Sequence, residues 1–216
     1  MENNLHRGQS ILTAGEPLAR ARAVMIMIHG RGASARDILS LTRELPGEGF
    51  AFLAPQAANA TWYPYRFMEP TERNEPWLSS ALDVVDLLLQ HARTANIPDE
   101  KIMLLGFSQG ACLATEYAAR HAKKYGGIVG LSGGLIGPDN TPRDYTGSFE
   151  HTPVFLGCSD VDPHIPKERV MLTSDVFQKM GADVTMQLYP NMDHTVNEDE
   201  LEFVSEMMNR LTTNDQ

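Results

Sequence analysis

Gly106-Phe107-Ser108-Gln109-Gly110 is the stretch of this sequence that decides the fold. It follows an apolar run at 102–105 and precedes the segment 111–119, in which small residues recur at helical spacing. A strand, a sharp turn and a helix form the context in which a Gly-x-Ser-x-Gly motif presents its serine as a nucleophile. Because glycine lacks a Cβ atom, the two glycines let the helix start close against the strand. The motif therefore predicts an accessible Ser108 hydroxyl at a helix N-terminus, the alternative being a purely structural turn.

The rest of the chain alternates between strand-like and helix-like segments. Strands are predicted at 8–13, 21–29, 50–54, 101–106, 126–131, 153–158 and 184–189. Helices are predicted at 35–45, 75–96, 108–122, 167–180 and 198–211. This alternation predicts an α/β fold with a mostly parallel sheet and helices on both faces. From its length we expect a single domain, 1–216, with 1–20 as a peripheral edge segment, 212–216 as a frayed tail and no large lid.

The composition argues against several classes of partner. The formal net charge is −10, so the chain should not attract nucleic acid or an anionic membrane surface. Its longest apolar run, 23–28, is too short to span a bilayer, and the polar residues 1–20 do not resemble a secretory signal. We therefore expect a cytoplasmic protein without stable membrane insertion. The two cysteines, Cys112 and Cys158, are too few for a disulfide framework and are expected to be buried and reduced.

Clusters of polar residues follow the predicted strands, at the point where each strand ends. They lie at 29–34, 55–68, 106–110, 132–135, 158–166 and 190–194. In an open parallel sheet these loops gather along one edge, which is where ligands bind. The sequence therefore predicts a ligand site at this edge.

The loop 55–76 has no periodicity and is rich in large apolar side chains. They include Trp62, Tyr63, Tyr65, Phe67 and Met68. Such a loop either packs its own rings against the body of the protein or forms one wall of a substrate pocket. Our functional interpretation assigns these five side chains to substrate binding.

A serine nucleophile needs a base, and the base needs a carboxylate that orients it. Among seven histidines, His29 ends a strand and is expected to hold a turn, which leaves His164 and His194. We assign the base to His194, which lies between the last strand and the last helix and leaves room for the order serine, acid, histidine. The acid should come from the loop after strand 153–158, where the residues alone leave Asp160 and Asp162 open.

Four motifs together resemble a known family. They are His29-Gly30-Arg31-Gly32, Gly106-Phe107-Ser108-Gln109-Gly110, Asp162-Pro163-His164-Ile165-Pro166 and Met192-Asp193-His194. In this order they resemble the phospholipase/carboxylesterase family, small α/β-hydrolases that include the acyl-protein thioesterases, over about 21–211. The resemblance implies an α/β-hydrolase fold. It also implies Asp162 as the triad acid, because the family pattern is Asp-x-x-Val-Pro, and an oxyanion hole formed by the backbone N–H groups of Arg31 and Gln109.

Two departures from the thioesterases bear on the substrate. Ala33 stands where those proteins tend to have Asp, and Trp62-Tyr63-Pro64 stands where they have Trp-Phe-Asp. We therefore expect a serine carboxylesterase that acts on short or soluble esters. The alternatives are an acyl thioesterase, a lysophospholipase, a dienelactone-hydrolase-like enzyme and a non-catalytic ligand-binding module.

The mechanism that the resemblance implies needs neither a metal nor a cofactor. We interpret the Arg31 side chain as solvated, with attraction of acidic esters as the second hypothesis. The oligomeric state, including a homodimer, is left open.

Overall fold

The computed structural model describes residues 5–213, which form one seven-stranded sheet with helices on both faces. The strands are β1 Ile11–Gly15, β2 Ala23–Ile28, β3 Phe50–Pro55, β4 Ile102–Phe107, β5 Gly127–Leu131, β6 Pro153–Ser159 and β7 Asp183–Tyr189. Their order across the sheet is β1-β3-β2-β4-β5-β6-β7. The edge strand β1 pairs antiparallel with β3, and the other neighbours pair in parallel. The predicted α/β class is confirmed.

Five α-helices cover the sheet. They are α1 Ala35–Leu39, α2 Trp77–Thr94, α3 Gln109–Arg120, α4 Lys167–Lys179 and α5 Glu198–Thr213. One face packs against α1 and α5, and the other packs against α2, α3 and α4. The sequence of β2 is uniformly apolar because the strand is covered on both faces of the sheet. Ile26 packs on one face and Met27 on the other, and both are fully buried.

Two element boundaries differ from the sequence prediction by more than two residues. The edge strand begins at Ile11 and not at residue 8. Ser34 caps α1 through a reciprocal capping box with Asp37, as its position before the helical pattern indicates, but the α-helix ends at Leu39 and continues as a 3₁₀ turn, Ser40–Arg43. The Ser40 hydroxyl donates to the Asp37 carbonyl at 2.6 Å, and such a side-chain bond competes with the helical ladder.

Two segments near the ends of the described range have defined positions. Residues 212–213 of the predicted tail belong to α5, which runs to Thr213, and 214–216 lie outside the described residues. In the predicted peripheral segment 1–20, His6 is buried. Its Nε2 lies 2.9 Å from the Trp62 carbonyl, and its Nδ1 accepts a hydrogen bond from the Ala58 N–H at 3.1 Å. This part of the chain therefore supports the loop after β3; residues 1–4 lie outside the described part.

The functional edge of the sheet is the one where the parallel strands end. Arg31 follows β2, Ser108 follows β4 at the centre of the sheet, Asp162 follows β6 and His194 follows β7. Two long connections, 56–76 and 132–152, leave the same edge after β3 and β5. Across residues 5–213, none of the helices has the length and apolar character required to cross a bilayer.

Candidate active site

Ser108 occupies a strained turn between β4 and α3. Its backbone has φ 55° and ψ −119°, in a region that non-glycine residues rarely adopt, and its N–H donates to the Leu131 carbonyl of the neighbouring strand at 2.9 Å. A Cβ atom on Gly106 would overlap the backbone of Gly110. A Cβ atom on Gly110 would overlap the Ile28 carbonyl group. The glycines therefore permit the close approach of helix and strands that holds Ser108 in this conformation.

A chain of two hydrogen bonds joins Ser108 to a buried carboxylate. His194 Nε2 lies 2.9 Å from Ser108 Oγ, and His194 Nδ1 lies 2.6 Å from Asp162 Oδ2. A carboxylate can only accept, so Nδ1 carries the imidazole proton and leaves Nε2 to accept from the serine hydroxyl. The imidazole ring also contacts the rings of Phe107 and His164, at 5.0 Å and 4.9 Å between ring centroids. This arrangement can take a proton from Ser108 and return it.

The Asp162 carboxylate is built to stay ionised. Its side chain is 0% exposed, and burial alone would raise its pKa. The hydrogen bond from His194 and those from the His164 and Ile165 N–H groups, at 2.8 and 2.9 Å, outweigh burial and hold the pKa of Asp162 below its ordinary value. Asp160 has a different contact: its Oδ1 accepts from the Asn191 N–H at 2.8 Å and thereby braces the loop that carries His194. Of the two aspartates, Asp162 is therefore the one in contact with the imidazole.

Two backbone N–H groups lie beside Ser108 at the turn after β2 and the start of α3. Gln109 is the first residue of α3, where an N–H has no acceptor within the helix. Across residues 5–213, the Arg31 N–H donates to no protein group, whereas the next two N–H groups, of Gly32 and Ala33, are both bonded. These free donors are suited to an oxyanion, although the roles of Arg31 and Gln109 stay predictions.

The Arg31 side chain is exposed, in keeping with its interpretation as solvated, and it also binds the aromatic loop. Its Nη1 donates to Thr61 Oγ1 and to the Pro64 carbonyl at 3.0 Å each, and its Nη2 donates to the Tyr65 carbonyl at 2.7 Å. The Gln109 side chain fixes the same loop, because its Oε1 accepts from the Trp62 N–H at 2.9 Å and its Nε2 donates to the Tyr63 carbonyl at 2.8 Å. Both predicted oxyanion residues therefore also clamp the aromatic loop against the nucleophile.

The aromatic loop divides between the pocket and the core. Tyr63, Tyr65 and Phe67 line the cavity next to Ser108, in agreement with their predicted position. Trp62 does not line the cavity: it is fully buried, donates from Nε1 to the His29 carbonyl at 2.9 Å and makes tilted ring contacts with His6 and His29. A buried indole needs an acceptor for its N–H, and this one faces inward. Met68 packs against the core and does not line the cavity, so the substrate-binding assignment is wrong for Trp62 and Met68.

The cavity beside Ser108 has a volume of about 500 Å³. Its walls include Ser108, His194 and Gln109, the three aromatic rings named above, and Ile165 and Cys112. Among the lining residues that sequence reasoning did not assign to substrate contact are three with ionisable side chains in loops: Arg66, Glu69 and His164. Their surroundings carry no periodic signal, since all three lie in irregular loops, although His164 was weighed as a base.

Both cysteines are free and buried, as predicted. Burial raises the pKa of the Cys112 thiol to about 12. Burial and the charge of Asp162 raise the pKa of the Cys158 thiol to about 12 as well. Since a thiolate and not a thiol is the reactive form, neither group competes with Ser108 as a nucleophile at neutral pH.

Glu200 is a buried carboxyl group that sequence reasoning missed. Its Oε2 accepts from the Asn197 N–H and Asn197 Oδ1 accepts from the Glu200 N–H, each at 2.9 Å, which forms a capping box at the start of α5. Oε1 has no hydrogen-bond partner among the described residues and faces Gly157, where a Cβ atom would overlap it. Burial raises the pKa of Glu200 to about 7. The cap closes the loop 190–197, which carries His194.

Replacing Glu200 with glutamine is expected to remove a pH dependence of stability. The folded protein holds the Glu200 proton up to about pH 7, whereas the unfolded chain releases it near the ordinary value of 4.5. Stability therefore falls as pH rises from 4.5 to 7, by about 3 kcal/mol in total, and then levels off. Part of this loss has already occurred at pH 5, so urea denaturation at pH 5 and pH 8 should show Glu200→Gln gaining about 2 to 3 kcal/mol relative to the wild type at the higher pH. An equal stability difference at both pH values would contradict the assignment.

This combination of fold and hydrogen-bonded side chains is the one by which α/β-hydrolases make a serine hydroxyl nucleophilic. The protein is a serine hydrolase of that fold class. A family model described as Phospholipase/Carboxylesterase matches residues 11–212, and the chain belongs to that family. The resemblance inferred from four motifs is therefore confirmed.

Individual proteins support the same conclusion. A solved structure of a phospholipase/carboxylesterase from Dyadobacter fermentans DSM 18053 is 43% identical, with a TM-score of 0.90, and the match covers 93% of this chain and 96% of that one. The structure of esterase PE8 is 21% identical, has a TM-score of 0.78 and covers 94% and 99% of the two chains, which supports the fold alone. Acyl-protein thioesterase 1 of Debaryomyces hansenii is 28% identical over 203 residues, 84% of this chain and 88% of that protein.

Proposed function

We propose that the protein is a carboxylesterase that hydrolyses short or soluble carboxylic esters through an acyl-enzyme on Ser108. The observation that carries this proposal is the hydrogen-bonded series Asp162, His194 and Ser108 at the wall of a cavity of about 500 Å³. A serine hydroxyl alone is a poor nucleophile, and a histidine fixed by a carboxylate supplies the missing base.

In the first half of the reaction, Ser108 Oγ attacks the ester carbonyl carbon while His194 Nε2 takes the hydroxyl proton. The carbonyl oxygen becomes an oxyanion, which accepts hydrogen bonds from the N–H groups of Arg31 and Gln109. The tetrahedral intermediate collapses, the carbon–oxygen bond to the alcohol breaks, and His194 gives its proton to the leaving alkoxide. Asp162 keeps the imidazole in the required tautomer and stabilises the imidazolium.

In the second half, a water molecule takes the place of the alcohol. His194 removes one of its protons as the water oxygen attacks the acyl carbon, and the same two N–H groups hold the second oxyanion. Collapse breaks the bond to Ser108 Oγ, which recovers its proton from His194, and the carboxylic acid leaves. No step requires a metal or a cofactor.

The cavity favours small acyl groups. Its walls combine the aromatic rings of Tyr63 and Phe67 with the charged side chains of Arg31, Arg66 and Glu69. A long acyl chain needs a continuous apolar surface, which charged groups interrupt. The named relatives include acyl-protein thioesterases, so a thioester is the chemistry against which the ester should be compared.

A fluorophosphonate probe and a substrate panel test the proposal. Intact-mass analysis should show one adduct, and peptide mapping should place it on Ser108. Among 4-nitrophenyl esters, we expect kcat/KM to be highest for acetate or butyrate and to fall by about tenfold or more at octanoate and longer. Acyl-coenzyme A thioesters of the same lengths are the comparison. Labelling of another residue would refute the assigned nucleophile, and a maximum at long chains or at thioesters would refute the substrate class.

A further inference from the structure

The cavity wall carries two guanidinium groups whose charge is not neutralised. Arg31 donates only to neutral oxygens, those of Thr61, Pro64 and Tyr65. Hydrogen bonds of this kind position a cation but leave its charge in place. The guanidinium of Arg66 makes no ion pair and no hydrogen bond with any described residue.

The negative charge in the same wall is already paired. Glu69 lines the cavity, and its Oε2 lies 2.7 Å from Nη1 of Arg73, which does not line it. The Asp162 carboxylate is fully buried against His194 and lies behind the cavity wall. In a protein with a net charge of −10, the cavity around the nucleophile therefore carries a local excess of positive charge. Clefts lined by one sign of charge concentrate ligands of the opposite sign.

The positions of the two arginines relate this charge to the reacting ester. Arg31 belongs to the turn after β2, and its guanidinium binds the Pro64 and Tyr65 carbonyls, directly before Arg66 in the chain. Both arginines line the same cavity as Ser108. Tyr63, Phe67 and Ile165 line the same cavity and give it an apolar surface. An ester whose carbonyl rests at Ser108 can lay a short apolar segment on these side chains and present its far end to the guanidinium groups.

We propose that the preferred substrate is an ester that carries a free carboxylate, and that Arg66, assisted by the charge of Arg31, binds that carboxylate. A guanidinium binds a carboxylate through two parallel N–H donors, and the N–H groups of Arg66 are available for this. Arg31 has committed three hydrogen bonds to the loop, so it contributes mainly its charge. The two parallel N–H donors of Arg66 and the additional positive charge of Arg31 together suit a single carboxylate. This inference rests on the proposed esterase function and names its substrate class.

Matched ester pairs test the inference, with the charge as the only large difference within a pair. On the acyl side, 4-nitrophenyl hydrogen adipate is compared with the corresponding primary amide. On the alcohol side, the acetate of 4-hydroxyphenylacetic acid is compared with that of its amide. We expect the wild type to prefer the anionic member by about tenfold in kcat/KM in at least one pair. The preference should shrink at about 0.5 M salt, because salt screens exposed charges.

Variants at Arg66 locate the preference. Arg66→Gln should lower the anion preference by about tenfold, and Arg66→Lys should retain much of it because the charge remains. Arg20→Gln is the matched control: Arg20 is exposed, does not line the cavity, and its loss changes the net charge by the same amount. Arg20→Gln should leave the preference unchanged.

Three results would overturn the inference: no anion preference in either pair, equal losses of both members of a pair in Arg66→Gln, or an equal effect of Arg20→Gln. None of these results would contradict the proposed esterase function. If the neutral amides are hydrolysed by the wild type and not by Ser108→Ala, the proposed function stands while the carboxylate inference fails.

Discussion

Replacing Ser108 or His194 with alanine is expected to lower kcat by about 10⁴- to 10⁶-fold while the protein stays folded. The reason is the single hydrogen-bonded path between them: His194 Nε2 lies 2.9 Å from Ser108 Oγ. Without the hydroxyl there is no covalent intermediate, and without the imidazole the hydroxyl keeps its proton. Because the two side chains act as one unit, the double variant should be no less active than either single variant. Initial rates with 4-nitrophenyl acetate measure the loss, and circular dichroism and the melting temperature verify the fold.

Control variants from α2 separate this effect from the loss of any serine or histidine. Ser79→Ala and His91→Ala remove exposed side chains away from the cavity, and both should retain wild-type activity. Activity of Ser108→Ala or His194→Ala within about tenfold of the wild type would contradict the assigned roles.

Variants of Asp160 and Asp162 test which carboxylate orients the His194 imidazole. Asp162→Asn should lower kcat by about 10³- to 10⁴-fold, since an amide in place of the carboxylate favours the wrong imidazole tautomer. Asp160→Asn retains an acceptor oxygen for the Asn191 N–H and should cost about threefold or less. Greater damage at Asp160 would reverse the assignment.

Sequence reasoning succeeded where the determining contacts are local. The strand, turn and helix around Ser108 are set by residues within a dozen positions of one another, and the glycine spacing alone makes the turn possible. Parallel strands also bring their carboxyl ends to one edge, so the meeting of Ser108 with His194 followed from element order. The choice between Asp160 and Asp162 did not follow from element order. Both residues follow β6 and both accept hydrogen bonds from backbone N–H groups, so the residue pattern alone cannot separate them.

The contacts that sequence reasoning missed are made with partners distant in the chain. Arg31 is exposed, but its contacts with the aromatic loop have no local signal, because its three acceptors lie at 61–65. Trp62 faces the core because His29 offers a carbonyl to its N–H. Glu200 stands in an acidic first helical turn, where a solvated carboxylate is the ordinary expectation, and it is buried because Gly157 leaves space opposite.

Gly110→Ala is expected to destabilise the protein by about 4 kcal/mol or more and to abolish esterase activity, because the new methyl group would meet backbone and not a flexible side chain. It would overlap the Ile28 carbonyl and lie 2.7 Å from the carbonyl oxygen of His29. Relief requires α3 to move away from β2, which displaces Ser108 and the Gln109 N–H together. Gly47→Ala is the matched control, since no atom lies within 4 Å of a Cβ there, and it should change stability by about 0.5 kcal/mol or less. Urea midpoints and fluorophosphonate labelling should be measured for both variants. If Gly110→Ala is as stable and as readily labelled as Gly47→Ala, the close contact between α3 and β2 does not hold Ser108 in place.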